Sequence, residues 1–469
     1  MTFEKATAVL KRLFSHYIAD EVRPMVVLAA PIVLAELGWM AMGVVDTMMV
    51  GRQAESAVAI GAVSLGSIVY YVVAIFGTGL MLGLDTLVSH SYGAGDLEDA
   101  HRSLVNGIYL SLGIAPVLML LVHFAEPLLR SLGIQPAVLS QAIPYLRAIN
   151  WGTLPLLLYF VFRRYLQGIN LVKPAMFSLF SANVVNLVGN WALIYGHLGL
   201  RAMGTVGSGW STCIGRIYMA AVLFVYCLYY DLRYKMGLRH ASRRPHLPRV
   251  WRLVRLGFPA ATQLGLEVAV FAAATALIGR LGAVPLASHQ IALNTASFTY
   301  MVPLGIGSGA AVRVGQALGR GDAHGASRAG WTALALSAAF MTCTGIVFWL
   351  APQYIVRIYT PDPVVIRAAS ALLLVAALFQ LFDGFQAVAT GALRGAGDTH
   401  TPMIWSVVFY WLVGLPVGAY LCFHLHWGAS GLWTGLCVAL ILIGSTLLYI
   451  WHRREKSFAA AFASRSSVS

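Results

Sequence analysis

The stretch Ala377–Pro402, ALFQLFDGFQAVATGALRGAGDTHTP, reads as a helix that crosses a membrane with a carboxylate inside it. Gln380, Asp383, Gln386 and Thr390 fall at i, i+3, i+6 and i+10, so they share one stripe on an otherwise apolar cylinder. A carboxylate at membrane depth costs at least about 2.5 kcal/mol and therefore faces a wet cavity or a partner. Arg394, two glycines and Asp398 then close the stretch as a charged turn at a water boundary. The remainder of the chain reads as a scaffold that holds a second set of polar groups opposite this stripe.

Composition agrees with a membrane location. Of 469 residues, 59% are hydrophobic and 11% charged, with a mean hydropathy of +0.74. Soluble proteins carry about 25% charged residues. The net charge of +14 does not point to nucleic acid, because the lysines and arginines lie in short stretches between apolar runs, as cytoplasmic loops do. Cys213, Cys227, Cys343, Cys422 and Cys437 sit in apolar segments at no ligand spacing and read as small hydrophobes. No metal or cofactor is expected.

Residues 1–24 form an amphipathic cytoplasmic lead-in with Lys5, Lys11, Arg12, Asp20 and Glu21, and no apolar core of a cleaved signal follows. Spans are predicted near 25–50, 56–84, 103–124, 140–162, 174–196 and 205–229. Six more follow near 257–279, 284–311, 327–350, 366–391, 403–424 and 429–451. The expected fold is an all-α polytopic membrane protein of twelve transmembrane helices. Residues 25–230 would form an N-lobe, 231–252 a basic linker with Pro245 and Pro248, 253–452 a C-lobe and 453–469 a cytoplasmic tail. Arg163, Arg164, Lys173 and the cluster from Arg233 to Arg255 are assigned to inner loops, against single charges such as Arg52, Arg130, Arg201 and Arg280 outside. Both termini are thus placed in the cytoplasm of a cell whose inner membrane holds the protein.

The chain also repeats itself. Pro31, Gly51, Arg52 and Gly79 recur 228 positions later as Pro259, Gly279, Arg280 and Gly307; GAGD at 93–96 recurs as GRGD at 319–322. A unit of six spans keeps its orientation on duplication, so the two bundles should be related by a pseudo-two-fold axis along the membrane normal.

Polar residues inside the spans mark the candidate sites. Glu36 and Asp46 lie on the first span, about 15 Å apart along a helix. Asn183, Asn186 and Asn190 share a face of the fifth, and Thr212 lies on the sixth. This stripe could equally join helices by hydrogen bonds. Gln263 and Glu267 are one turn apart on the seventh span; His289, Gln290, Asn294 and Tyr300 lie on the eighth. His289 reads as a packed residue, and Arg216, alone on the sixth span, is given no role. Tyr70, Tyr71, Tyr300, Tyr410 and Trp411 are the aromatics available to a cavity for cations.

Several motifs resemble those of multidrug and toxic compound extrusion (MATE) transporters: VVDTMMVG, GLDTLVSHSYGAG, HQIALNTASFTYMVPLG and FDGFQAVATGALRGAGD. The second is similar to the plant- and animal-like branch, with His90 in place of glutamine, and HQIALN is closer to the bacterial NorM-like branch. The resemblance spans the whole chain. It implies export of small cationic lipophilic compounds in exchange for H⁺ or Na⁺, and no enzymatic activity. It matches Glu267 and Asp383 to the family's coupling carboxylates, and Asp46, Asn186 and Asn190 to an N-lobe polar site, to which Thr212 of the sixth span is added on position. Asn190 departs from the pattern, since an amide replaces a carboxylate; coupling weight moves to the C-lobe. Gln263, Gln290, Asn294, Tyr300, Gln386 and Tyr410 are the remaining cavity candidates, and Na⁺ at Glu267 and Asp383 would draw oxygens from Gln263 and Asn294. A lone glutamate–aspartate pair is a sparse cage for a metal ion, which favours H⁺. The protein is expected to act as a monomer among membrane lipids. Alternatives are a lipid-linked oligosaccharide flippase, which would want cationic side chains in its cavity, and an intramembrane enzyme, for which no HExxH, GxSxG or paired-aspartate signature occurs.

Overall fold

In the computed structural model, residues 18–466 are described except Ala54, Leu132, Gly133, Ala241 and Arg243. Lys5, Lys11 and Arg12 of the lead-in, Arg243 of the linker and the last three residues of the tail lie outside the described residues. After a π-helical turn at Ile18–Val22 come α1 (Arg23–Val50), α2 (Ser56–Leu80, continued as Gly83–Gly93) and α3 (Leu97–Ser131). Next are α4 (Pro136–Asn150, then Thr153–Gly168), α5 (Lys173–Tyr195) and α6 (Thr205–Tyr234). The second half holds α7 (Leu247–Gly279), α8 (Ala283–Gly319), α9 (Ala323–Leu350) and α10 (Pro363–Gly395). It ends with α11 (His400–Val407, Val408–Gly414 and Leu415–Phe423) and α12 (Ala429–Ser466). Ten of these are long and apolar enough to cross a membrane. The other two are α4, broken at Trp151–Gly152, and the 37-residue α8, whose apolar content is diluted by His289, Gln290 and Asn294.

The observed helices overrun the expected spans. α3 starts at Leu97 and α7 at Leu247, because charged turns stay helical beyond the apolar window. The linker therefore shrinks: 231–234 still belong to α6, Leu238–His240 form a 3₁₀ turn, and Pro248 sits in the first turn of α7, where a missing N–H costs nothing. The tail continues α12 to Ser466. Four cysteines are buried, whereas Cys343 is exposed on α9.

Three copies of one turn shape the helix junctions. In GAGD 93–96, GRGD 319–322 and GAGD 395–398 the third residue takes positive φ, at Gly95 (77°), Gly321 (78°) and Gly397 (82°). The aspartate then accepts a backbone N–H of the next helix, Asp96 from Asp99 (2.8 Å), Asp322 from Gly325 (2.7 Å) and Asp398 from Thr401 (3.1 Å). Glycine supplies the left-handed backbone and aspartate the N-cap, so this tetrapeptide turns the chain with its donors satisfied.

Two compact units emerge, and their limits fall inside helices. One runs from Leu34 to Gly265; the other takes in the described residues up to Val33 and from Leu266 onward. The cause is close backbone packing. In the first unit a Cβ on Gly257 would sit 2.1 Å from the Leu80 carbonyl, and one on Gly79 would sit 2.5 Å from Ala261 Cα. In the second a Cβ on Gly305 would meet Val33 at 2.5 Å. The opening turns of α7 thus pack on α2, and those of α1 on α8, as the repeat requires. These limits differ from the loop-based lobes 25–230 and 253–452.

Candidate functional site

The second unit gathers the Asp383 stripe. α10 begins with Asp362 accepting the Val364 N–H at 2.8 Å and Pro363 in its first turn, an N-terminal cap that needs no other partner. A Cβ on Gly391 would lie 2.0 Å from the Gly307 carbonyl, and one on Gly384 would lie 2.7 Å from Ser337 Oγ. Glycines therefore draw α8 and α9 onto the helix around Asp383. In α11 the segment Val408–Gly414 is π-helical, just before Pro416, whose missing N–H removes an i→i−4 bond and favours a wider turn. This turn carries Tyr410 and Trp411.

A hydrogen-bonded triad results. Gln386 Nε2 donates to Glu267 Oε1 at 2.9 Å, and Tyr410 OH donates to Gln386 Oε1 at 3.1 Å. The Tyr410–Glu267 contact is longer, 3.5 Å, so the single phenolic proton belongs with Gln386. Trp411 Nε1 donates to the Leu266 carbonyl at 3.2 Å, next to the glutamate. The second oxygen of Glu267 accepts no hydrogen bond from any described residue. Asp383, 8% exposed, accepts none at all among the described residues. The two acids and Tyr300 lie within electrostatic reach of one another.

The rest of the stripe has other duties. Gln380 Nε2 donates to Thr299 (3.0 Å) and Thr344 (3.1 Å), and the Thr390 hydroxyl is buried without a partner. Gln290 and Asn294 are exposed, with no hydrogen bond to the triad among the described residues. Gln263 is buried and falls in the first unit. His289 is fully buried; its Nδ1 accepts from Trp433 Nε1 at 2.9 Å and its Nε2 faces Thr275 Oγ1 at 2.8 Å, so both nitrogens are occupied.

The first unit holds a different cluster. Asp46 accepts from Asn190 Nδ2 (2.6 Å) on one oxygen and from Thr212 Oγ1 (3.1 Å) on the other. Asn190 also donates to Asn186 (3.2 Å), whose backbone carbonyl accepts from Ser211 (2.8 Å). Here every oxygen of the single acid is satisfied. Arg163 and Arg164, placed in a loop from sequence, are instead buried within α4: Arg163 pairs with Glu36 of α1, and Arg164 with Asp85 of α2 at 3.4 Å. A charge in a helix interior needs a counter-charge, and the two acids are 127 and 79 residues away in the chain.

A family model described as MatE matches residues 31–192 and again residues 259–420. The chain belongs to the MATE family. The two matches are offset by 259 − 31 = 228, the offset at which Pro31 and Gly79 recur. A probable multidrug resistance protein NorM of Mesorhizobium japonicum is 38% identical over 444 residues, covering 93% of this chain and 95% of its own. A multidrug resistance protein NorM of Burkholderia vietnamiensis is 35% identical over 461 residues, covering 97% and 98%. The crystal structure of the eukaryotic MATE transporter AtDTX14 superposes with a TM-score of 0.84 at 21% identity, covering 95% of this chain and all of that one. The MATE fold of twelve helices in two bundles accounts for the twelve long helices α1–α12, with the six-residue helix Pro352–Arg357 lying between α9 and α10.

Proposed function

We propose that this MATE-family protein is a secondary active multidrug efflux antiporter of the inner membrane, with both termini cytoplasmic. Glu267 and Asp383 exchange a small cationic lipophilic compound for H⁺. The observation that carries the reading is Asp383, a buried carboxylate with no hydrogen bond among the described residues, within electrostatic reach of a glutamate with one oxygen left open by them. Such a pair is costly as two bare charges and is relieved by a proton or by a bound cation. The two ligands compete for one charge state, and rocking between bundles converts competition into exchange. Na⁺ is the weaker choice, since the Gln386 carbonyl oxygen already accepts from Tyr410 and Asn294 stands outside the triad.

The flippase alternative gains little from the buried arginines. Arg163 and Arg164 each hold a carboxylate, so they do not line a cationic cavity. The reading is tested in proteoliposomes with a preset pH or Na⁺ gradient, using Glu267→Gln and Asp383→Asn separately. Loss of gradient-driven dye uptake in both, with the fold intact by circular dichroism, supports it. Wild-type rates in both overturn it.

A further inference from the structure

Arg216 of α6 is 1% exposed, and its Nε and Nη2 have no partner among the described residues. Its Nη1 makes a long hydrogen bond to the Ile149 carbonyl, 3.4 Å, and the Tyr71 phenol stands within hydrogen-bonding reach of the guanidinium. Its guanidinium lies over the Tyr70 ring, 4.5 Å from the centroid. A Cβ on Gly152 would meet Arg216 Cδ at 3.0 Å and Nη1 at 3.2 Å, so the break in α4 leaves just the room that the side chain fills. Burying a guanidinium with two N–H groups idle costs several kcal/mol, and such an orphan calls for a partner that the chain itself does not supply.

Asp46 does not fill this role by contact. Both its oxygens are taken by Asn190 and Thr212, and it acts on Arg216 only through space. Thr212 and Arg216 are four residues apart on α6, so the acid and the guanidinium stand about one helical turn from each other. Tyr71, 41% exposed, lies next to the guanidinium.

We propose that Arg216 is an anion subsite of the first unit, whose two free N–H groups hold a singly charged anion, the carboxylate of an amphoteric substrate. The inference rests on the transporter reading above and adds to it a residue that would hold the acidic end of an amphoteric substrate. Arg presents parallel donors that match a carboxylate in two places, which no acid or amide of the cluster offers.

The test uses binding rather than transport, so that it survives failure of the coupling reading. Rhodamine 110, which carries a free carboxyl, and rhodamine 123, its methyl ester, are titrated into purified full-length protein by fluorescence anisotropy. Arg216→Gln should weaken rhodamine 110 about tenfold or more, the scale of a lost charged hydrogen bond, and leave rhodamine 123 within about twofold. Arg216→Lys, which keeps the charge but not the fork, should lose less, and again for the acid only. Repeating the titrations with chloride replaced by gluconate separates the sources. Chloride competition seen in wild type and absent in Arg216→Gln upholds the site with an inorganic occupant. Equal loss of both dyes in both variants, or no change in either dye together with no Arg216-dependent chloride effect, overturns the proposal.

Discussion

The two units of this chain descend from one repeat, yet their polar clusters solve the same burial problem in opposite ways. In the first, Asp46 is closed by Asn190 and Thr212, and two further acids, Glu36 and Asp85, are paired with arginines. In the second, Glu267 has a single good partner, Gln386, and Asp383 has none among the described residues. A satisfied acid has little to gain from an incoming cation. An unsatisfied one gains much, so under the proposed function exchange would fall to the second unit and structure and gating to the first.

The largest expected effect breaks the second unit. Asp383→Asn should lower gradient-driven efflux of a cationic dye by about a hundredfold or more, as expected when a buried carboxylate with no hydrogen-bond partner among the described residues is removed; a residual rate near wild type would erase the asymmetry. Next comes the first unit's ion pair. Arg163→Met strands Glu36 and should cost about 3–5 kcal/mol in stability, read as a drop in melting temperature in detergent. Adding Glu36→Met should recover most of it, whereas no recovery would mean that packing, not charge, is at stake. Third, Asp46→Asn should reduce transport only severalfold, because an amide still meets Thr212 and Asn190. Smallest is Asn190→Ala, at about twofold to fivefold, the loss of one donor to a still-hydrogen-bonded acid. Equal and complete losses at Asn190 and Glu267 would contradict the ranking.

Much of this was legible in the sequence. The stripe on α10 is pure helical periodicity, and the offset of 228 between Pro31 and Pro259 carries the two bundles. Helix ends were less legible, since hydropathy registers the bilayer and not the helix: α7 begins ten residues before its apolar window. Arg163 and Arg164 were misplaced because counting positive charges treats every arginine as a loop marker, and their acids lie on other helices. Tyr410 reaches Gln386 from a π-helical turn, a register that no 3.6-residue periodicity encodes. Arg216 showed only as a solitary charge; its idle N–H groups are a fact of packing.

The central claim, that a proton and a drug compete for the Glu267–Asp383 pair, is tested most directly by proton release. Tetraphenylphosphonium is added to purified protein in a weakly buffered detergent solution near neutral pH, and the pH change is read with an indicator dye. Linkage requires release approaching about one proton per bound cation in wild type and in Asp46→Asn. Release should disappear in Asp383→Asn and in Glu267→Gln. Unchanged release in both of those variants, or drug binding in wild type with no proton released at any pH tested, would contradict the account.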